Sequence, residues 1–397
     1  MQEKEQQAQR AQDVIGIPFW RFLMYFVYLG ALGFGGPIAL VGYMQRDLVE
    51  RRRWISEEDY RQGLALAQLA PGPLAAQLAI YLGYVKGHIW GATLVGLAFI
   101  LPSFFMVLVI SMLYVYFGEL RSMQALFYGI GAAVIGIIVR AAYKLTNTTL
   151  KTDPLLWGIF VVMAVTTAWA EAEIISLFIL AGVVALCVKA PPLKWLSRLR
   201  LKGTSLQAIV WPALLTQGLG AAADADTLWS VLWFFMKAGA FVFGSGLAIV
   251  PFLYGGVVQQ YHWLNDRQFL DAVAVAMITP GPVVITVAFI GYLVAGLIGG
   301  TLAAIGVFLP VYLFVVIPSP WFKRHADQPQ LKAFVEGVTA AATGAIAGAC
   351  IVLGQRAIFD IPTLLIALVT LGIVWRFKVP EPYLIVAAGV AGLILAP

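Results

Sequence analysis

Trp54-Ile55-Ser56-Glu57 returns 209 residues later as Trp263-Leu264-Asn265-Asp266. The same offset carries Phe34-Gly35-Gly36 to Phe243-Gly244-Ser245, and Pro71-Gly72-Pro73 to Pro280-Gly281-Pro282. Further on, Gly83-Tyr84 pairs with Gly291-Tyr292, Leu101-Pro102 with Leu309-Pro310 and Gly129 with Gly337, now at an offset of 208, so one deletion separates the two sets. A tripeptide as uncommon as Pro-Gly-Pro, duplicated in register, marks a fused pair of homologous halves. Whatever one half folds into, the other must fold into as well, and a site built on a repeated motif is offered in duplicate.

Composition decides the solvent in which those halves fold. Of 397 residues, 61% are hydrophobic and 12% charged, whereas a soluble domain carries about 25% charged residues. So little charge cannot solvate a surface, which makes the chain an all-α polytopic protein embedded in the lipid bilayer. Cys187 and Cys350 lie in apolar runs without partners at metal-ligand spacing, and His88, His262 and His325 are scattered. No HExxH, GxSxG or GxxxxGK[ST] sequence occurs, so no metal, cofactor or catalytic constellation is expected. An enzyme working within the membrane would need clustered intramembrane Asp, Glu or His. A nucleotide-driven pump in one chain needs a soluble ATP-binding domain, for which there is no room. The net charge of +6 reads as loop charge governing topology and not as a nucleic-acid footprint.

The expected organisation is a polar cytoplasmic tail over 1–19 with no cleavable signal peptide, a first repeat over 20–189, a linker region over 190–227 and a second repeat over 228–397. The linker sequence Lys189–Lys202 holds Pro191-Pro192 and five basic residues and reads as a cytoplasmic loop, followed by a connecting span at 206–223. Full crossings are expected at 89–116, 125–142, 154–170, 174–189, 297–318, 333–355, 362–376 and 381–397. Four other apolar segments, 20–45, 63–84, 228–256 and 271–296, are interrupted midway by Gly or Pro at matching positions in the halves. Such segments are the signature of half-helices, so these are read as re-entrant hairpins or strongly broken helices, although a kinked crossing fits 20–45 almost as well. Arg46, Arg51, Arg52, Arg53 and Arg61 crowd a first-half loop whose second-half counterpart keeps Arg267 and His262, while Lys323, Arg324 and Lys332 crowd a loop whose first-half counterpart is nearly bare. Because Lys and Arg accumulate on the cytoplasmic side, this exchange predicts halves inserted in opposite orientation, an inverted-topology repeat.

The breaks carry the chemistry. Proline lacks an N–H and clashes with the preceding turn, so each Pro-Gly-Pro ends one helix or opens another. Its glycine allows a sharp turn and close approach of a ligand. The unpaired N–H groups of the next half-helix then face the break, with the positive end of the helix dipole behind them. This is an anion site made of backbone. The candidate binding residues are Phe34, Gly35, Gly36 and Pro37, then Pro71, Gly72 and Pro73, then Phe243, Gly244, Ser245 and Gly246, and Pro280, Gly281 and Pro282. Gln68, Gln77, Thr279 and Thr286 flank them as polar donors. Lys237 lies inside an apolar stretch and could attract an anion; its repeat counterpart is Tyr28, so the site is not charge-symmetric. Glu336, at the start of an apolar helix, is the candidate carrier of a coupling proton. Gly344-Ala345-Ile346-Ala347-Gly348 reads as a packing motif.

At these residues the chain resembles the chromate ion transporter family in its long, two-domain form. The likeness rests on Phe34–Pro37, on Gln68–Tyr84 (QLAPGPLAAQLAIYLGY), on Phe243–Gly246 and on Ile278–Tyr292 (ITPGPVVITVAFIGY), with Leu101-Pro102-Ser103 and Leu309-Pro310 as smaller matches. The resemblance implies a multi-pass protein of the bacterial inner membrane that exports chromate, driven by the proton-motive force, and so confers chromate resistance. Two departures stand out: Ile38-Ala39-Leu40 occupies the place where the family's first domain often has a histidine, and Tyr28 replaces a basic residue that Lys237 keeps in the second half. Chromate and sulfate are both tetrahedral dianions, so a sulfate or other oxyanion carrier and an uncoupled anion channel are the alternatives. The oligomeric state stays open, a homodimer included.

Overall fold

The computed structural model describes residues 16–34, 36–117, 120–170, 175–191, 225–241, 249–320, 322, 328–377 and 379–396. Every regular element among them is helical. The first half comprises α1 (Phe19–Leu32), α2 (Gly36–Met44, continued by a π-helical stretch Gln45–Arg51), α3 (Glu57–Leu69), α4 (Leu74–Phe117), α5 (Arg121–Leu150), α6 (Pro154–Ala170) and α7 (Ile175–Lys189). The second comprises α8 (Ala225–Phe241), α9 (Ile249–Tyr254, continued by π-helical Gly255–Gln260), α10 (Asp266–Ile278), α11 (Thr286–Val316, after a 3-10 turn Val283–Ile285), α12 (Pro329–Ala357), α13 (Ile361–Arg376) and α14 (Glu381–Leu395). The connecting span expected at 206–223 and most of the linker lie outside the described residues.

The repeat is visible in the backbone even where the side chains differ. α4 bends back on itself at Gly87-His88, with His88 at φ +50°, and α11 does so at Ala295-Gly296, with Gly296 at φ +60°. Arg53 and His262, another equivalent pair, share φ +51°. Each bend is a hairpin closed by glycines: a Cβ on Gly83 would lie 2.5 Å from the Gly91 carbonyl, and one on Gly291 would lie 2.4 Å from that of Gly299. α4 is therefore a short arm over 74–86 and a crossing over 89–117, and α11 divides likewise into an arm and a crossing over 297–316.

Both Pro-Gly-Pro segments fold as hairpins, and the described arms of the other two broken segments pack against each other. In the first Pro-Gly-Pro hairpin, Tyr81 Oη donates to Gln62 Oε1 at 3.4 Å and Gln77 Nε2 to the Pro71 carbonyl at 2.7 Å, so the arms run antiparallel. In the second, Thr286 Oγ1 donates to the Ala272 carbonyl at 2.7 Å. α1 and α2 return in the same way, with Phe22 against Trp54 at 6.5 Å between ring centroids and Arg52 over the Tyr25 ring at 5.5 Å. Phe234 of α8 stacks on Phe252 of α9 at 5.3 Å. The 20–45 segment is thus a hairpin and not a kinked crossing.

The halves are inverted. Thr93 and Tyr312 share a hydrogen bond of 2.7 Å, while Gly300 lies beside Leu108, a Cβ there falling 3.1 Å from Leu108 Cδ2. The two crossings therefore pack antiparallel and traverse the bilayer in opposite directions. Leu74–Phe117, Arg121–Leu150, Val283–Val316 and Pro329–Ala357 are long and apolar enough to cross, and α6, α7, α13 and α14 are shorter apolar helices near the remaining expected crossings.

Each half also covers the other's long helix. α5 packs on α13 and α14, and α12 packs on α6 and α7, so the terminal helix pairs are exchanged between halves. Small residues make these crossings close: a Cβ on Gly129 would meet the Ala388 carbonyl at 2.0 Å, and one on Gly337 the Ala181 carbonyl at 2.4 Å. Gly344 and Gly348 face Phe160 and Ala164 with corresponding distances of 2.4 and 2.5 Å, which makes this motif a packing surface. Gly344→Leu is expected to cost about 1–3 kcal/mol by overpacking and to lower the melting temperature of the detergent-solubilised protein, whereas Gly372→Leu, where a Cβ meets nothing within 4 Å, should leave it unchanged.

Two faces follow from the chain path. Lys189 bridges Asp153 and Glu336, placing the end of α5, the end of α7 and the start of α12 together. Arg267 donates to the Gln124 carbonyl at 3.0 Å and Arg356 pairs with Asp266 at 2.9 Å, which gathers the opposite ends of α5 and α12. The first pair of hairpins opens toward the face of Lys189 and the second pair toward the other face. The Lys189 face also carries Arg51, Arg52, Arg53, Lys151 and Lys332 and is the basic one.

Candidate functional site

At the centre the breaks meet across the repeat axis. Gly281 N–H donates to the Gly33 carbonyl at 2.9 Å, which joins the second Pro-Gly-Pro to the first break. A Cβ on Gly281 would fall 2.0 Å from Ser103 Oγ, and one on Gly72 would fall 3.2 Å from Val311 Cγ1. Ser103 and Val311 are equivalent residues of the two crossings, so each half's Pro-Gly-Pro sits against the other half's crossing. Both glycines adopt backbone that disfavours side chains, with φ +139° at Gly72 and +95° at Gly281. Ser103 is fully buried and donates to the Gly30 carbonyl at 3.0 Å.

One cavity of about 1200 Å³ leads from this junction to the basic face. Its deep wall includes Gly36, Pro37, Gln68, Leu74, Met277 and Val283. Gly36, Leu74 and Val283 begin three half-helices or their leading turns, so three sets of unpaired N–H groups border one space. The sequence could identify each terminus but not their convergence. Its outer wall carries Arg140, Lys144, Lys151, Lys189 and Lys332 against Asp153, Glu336 and Glu381. Arg140 lies 5.2 Å from the centroid of the Trp375 ring, an aromatic face from the other half that orients the guanidinium. The equivalents of Arg140 and Lys144 at an offset of 208 are Gly348 and Val352, so these two charges have no counterpart in the second half, which adds Lys332 to the wall.

The sequence-predicted residues divide by position. Gly36, Pro37 and Gln68 line the cavity, as does Glu336, whose carboxylate accepts from Lys189. The same ammonium, through its hydrogen bond, holds the Asp153 carboxyl below the usual carboxylate range, helped by the Leu156 and Leu155 N–H groups. Phe34 stands at the edge of the first break and is 36% exposed. Pro71, Gly72, Pro73, Pro280, Gly281 and Pro282 form the two turns. Gln77 is fully buried and braces its turn through the Ala70 and Pro71 carbonyls; its Oε1 is buried without a partner among the described residues. Thr279 and Thr286 donate to the Val275 and Ala272 carbonyls, each at 2.7 Å, so their protons are committed to the backbone. Lys237 is half-buried on α8 and does not line the cavity. Gly35, Phe243, Gly244, Ser245 and Gly246 lie outside the described residues.

Arg140 and Lys144 went unrecognised in the sequence. Arg140 falls within the crossing expected over 125–142, and a charge inside an apolar segment is the signal that would have found it. Lys144, one turn later, lies two residues beyond the expected end of that crossing.

A family model described as "Chromate transporter" matches residues 20–187 and 229–393. A chromate transport protein of Cupriavidus metallidurans is 59% identical over 378 residues, covering 95% of this chain and 93% of the relative. A probable chromate transport protein of Synechococcus elongatus is 56% identical, covering 93% of this chain and 94% of its own length. A chromate transport protein of Pseudomonas aeruginosa is 33% identical over 96% of this chain and 92% of its own. No solved structure matches the chain.

Proposed function

Since this chain belongs to the chromate transporter family, we propose that it is a coupled carrier that exports chromate across a bacterial inner membrane, driven by the proton-motive force. The observation that carries this reading is the convergence of three half-helix N-termini with Arg140 and Lys144 on one cavity of about 1200 Å³. A tetrahedral dianion needs donors on several sides and partial, not complete, neutralisation if it is to leave again. Backbone N–H groups at the ends of half-helices supply that field at membrane depth.

The basic face, by the positive-inside rule, is cytoplasmic. Chromate would enter the cavity from there, drawn by Lys144 and Arg140, and reach the breaks at Gly36-Pro37, Pro71–Pro73 and Pro280–Pro282. Gln68 would orient it, with Ser245 and its neighbours completing the cradle from the fourth break and Lys237 adding positive charge from α8. Rocking of one inverted half against the other would close the cytoplasmic path and open the opposite one.

Uptake of labelled chromate and sulfate into proteoliposomes, with and without an imposed pH gradient, tests the reading. The expected result is saturable chromate flux that rises with the gradient and that sulfate competes for weakly. Flux of sulfate alone would transfer the pocket to another oxyanion, flux that neither saturates nor responds to the gradient would make the protein a channel, and no flux of either would overturn the proposal.

A further inference from the structure

Asp271 sits within α10, the inward arm of the second Pro-Gly-Pro hairpin, and is 3% exposed. Its carboxylate accepts from Tyr114 Oη at 2.7 Å. Tyr114 stands near the end of the 89–117 crossing, its ring edge-on to Phe127 and Phe289. This bond therefore links the re-entrant hairpin of one half to the crossing of the other, the two bodies that alternating access moves against each other.

A pocket of about 130 Å³, lined by Tyr114, Met123, Gln124, Phe127, Arg267 and Asp271, reaches the carboxylate. Exposed Arg267 stands at this pocket and holds the Gln124 carbonyl, so the pocket lies toward the face opposite the anion cavity. The repeat equivalent of Asp271 is Gln62, an amide that accepts from Tyr81 and donates to Glu58. The carboxylate is thus a departure from the repeat that packing alone does not require.

We propose that Asp271 binds the coupling proton, with Tyr114 as its positioning partner; this rests on the reading of the chain as a proton-coupled chromate carrier. An ionised carboxylate in a membrane interior is costly unless a cation compensates it, and here the hydrogen-bond donor is a neutral phenol. Proton uptake from the small pocket converts the carboxylate to a carboxylic acid, and release to the other side after rocking restores it; no other bond is made or broken. The ionised form accepts the Tyr114 proton, whereas the acid has a proton of its own to place, so protonation alters the contact that holds the halves together.

The charged neighbours are accounted for element by element. Arg267, on the same helix and lining the same pocket, donates to Gln124 of α5 and reaches the Asp271 carboxylate through its field alone. Arg356 of α12 and Tyr254 of α9 both engage Asp266. α14 carries its acidic residue Glu381 at the far end, in the wall of the anion cavity, and α11 presents Phe289 to Tyr114.

The test is full-length protein in proteoliposomes, assayed both for chromate accumulation driven by a pH gradient and for chromate/chromate exchange without one. Asp271→Asn is expected to lose at least about tenfold in gradient-driven accumulation while exchange is retained. Gradient-driven accumulation equal to wild type would overturn the assignment. If Asp271→Asn is inactive in both assays, Tyr114→Phe decides: loss of a donor to the carboxylate favours its protonated form, so the pH of half-maximal driven transport should rise by about one unit, and an unmoved profile overturns the assignment. Wild-type exchange that ignores the gradient would overturn this inference and proton coupling while leaving chromate transport standing, whereas wild type without chromate exchange would overturn the transport reading itself.

Discussion

Gly281→Val is expected to reduce chromate transport by more than about hundredfold while the protein still inserts and folds. The valine must take φ +95° and place its Cβ 2.0 Å from Ser103 Oγ and 3.1 Å from both Ser103 Cβ and the Gly30 carbonyl. Left-handed backbone costs a non-glycine residue about 1–2 kcal/mol, and overpacking adds about 1–3 kcal/mol, more for a β-branched side chain. The turn can relieve both only by shifting away from the 89–117 crossing, which pulls the Gly281 N–H from the Gly33 carbonyl and displaces the half-helix that follows. A misplacement of about 1 Å in a positioned site can cost about hundredfold. Gly72→Val should act likewise through Gln77, whose Nε2 would lie 2.6 Å from the new Cβ. Labelled chromate uptake normalised to reconstituted protein is the measurement. Gly42→Ala, where a Cβ meets nothing within 4 Å, serves as the control. Wild-type rates in both valine variants would remove the breaks from the transport pathway.

Arg140→Gln combined with Lys144→Gln is expected to raise the chromate KM about tenfold to hundredfold, with a smaller change in maximal rate. Between a unit charge and a dianion about 8 Å apart, the attraction at an effective dielectric constant of about 20 is about 4 kcal/mol, and mobile ions in a wet vestibule reduce it to about a third. Raising the ionic strength should therefore increase the wild-type KM and leave that of the double variant nearly unchanged. Lys237→Gln provides the comparison. A larger KM increase there than in the double variant would move the source of positive charge from the cavity wall to α8.

Much of the architecture was legible before any coordinates. The offset of 209 residues in Trp54/Trp263 and Gly72/Gly281 identified the halves, and the excess of apolar residues identified the solvent. The placement of the breaks within 63–84 and 271–296 was equally clear, because proline and glycine act on the backbone at the position they occupy. The candidate site was legible only in part. Gln68 and Gly36-Pro37 reach the cavity, but Gln77, Thr279 and Thr286 bond to carbonyls of their own hairpins, since a buried hydroxyl or amide in an apolar arm takes the nearest acceptor. Asp271 was passed over because it stands at the first position of a segment read as apolar. Arg140 stands out as a charge in a run rich in Ile, Val and Ala, but only the packed fold shows that it borders the cavity.

Helix, break and repeat are local or periodic properties, carried by hydropathy, by the rigid rings of Pro71, Pro73, Pro280 and Pro282 and by the exact recurrence of those residues; the sequence alone was enough to establish them. Partner choice is of another kind. Gly129, Gly337, Gly344 and Gly392 announce that a helix will approach closely, yet every apolar helix in lipid offers a similar surface, and only the packed molecule pairs α5 with α13 and α14 and α12 with α6 and α7. The same packing turns 20–45 back to the face it came from, brings three half-helix termini and two basic residues of one half around a single cavity, and sets Asp271 against Tyr114 across the axis. The Asp271–Tyr114 contact joins residues 157 positions apart, and its free energy exists only once both halves are folded together.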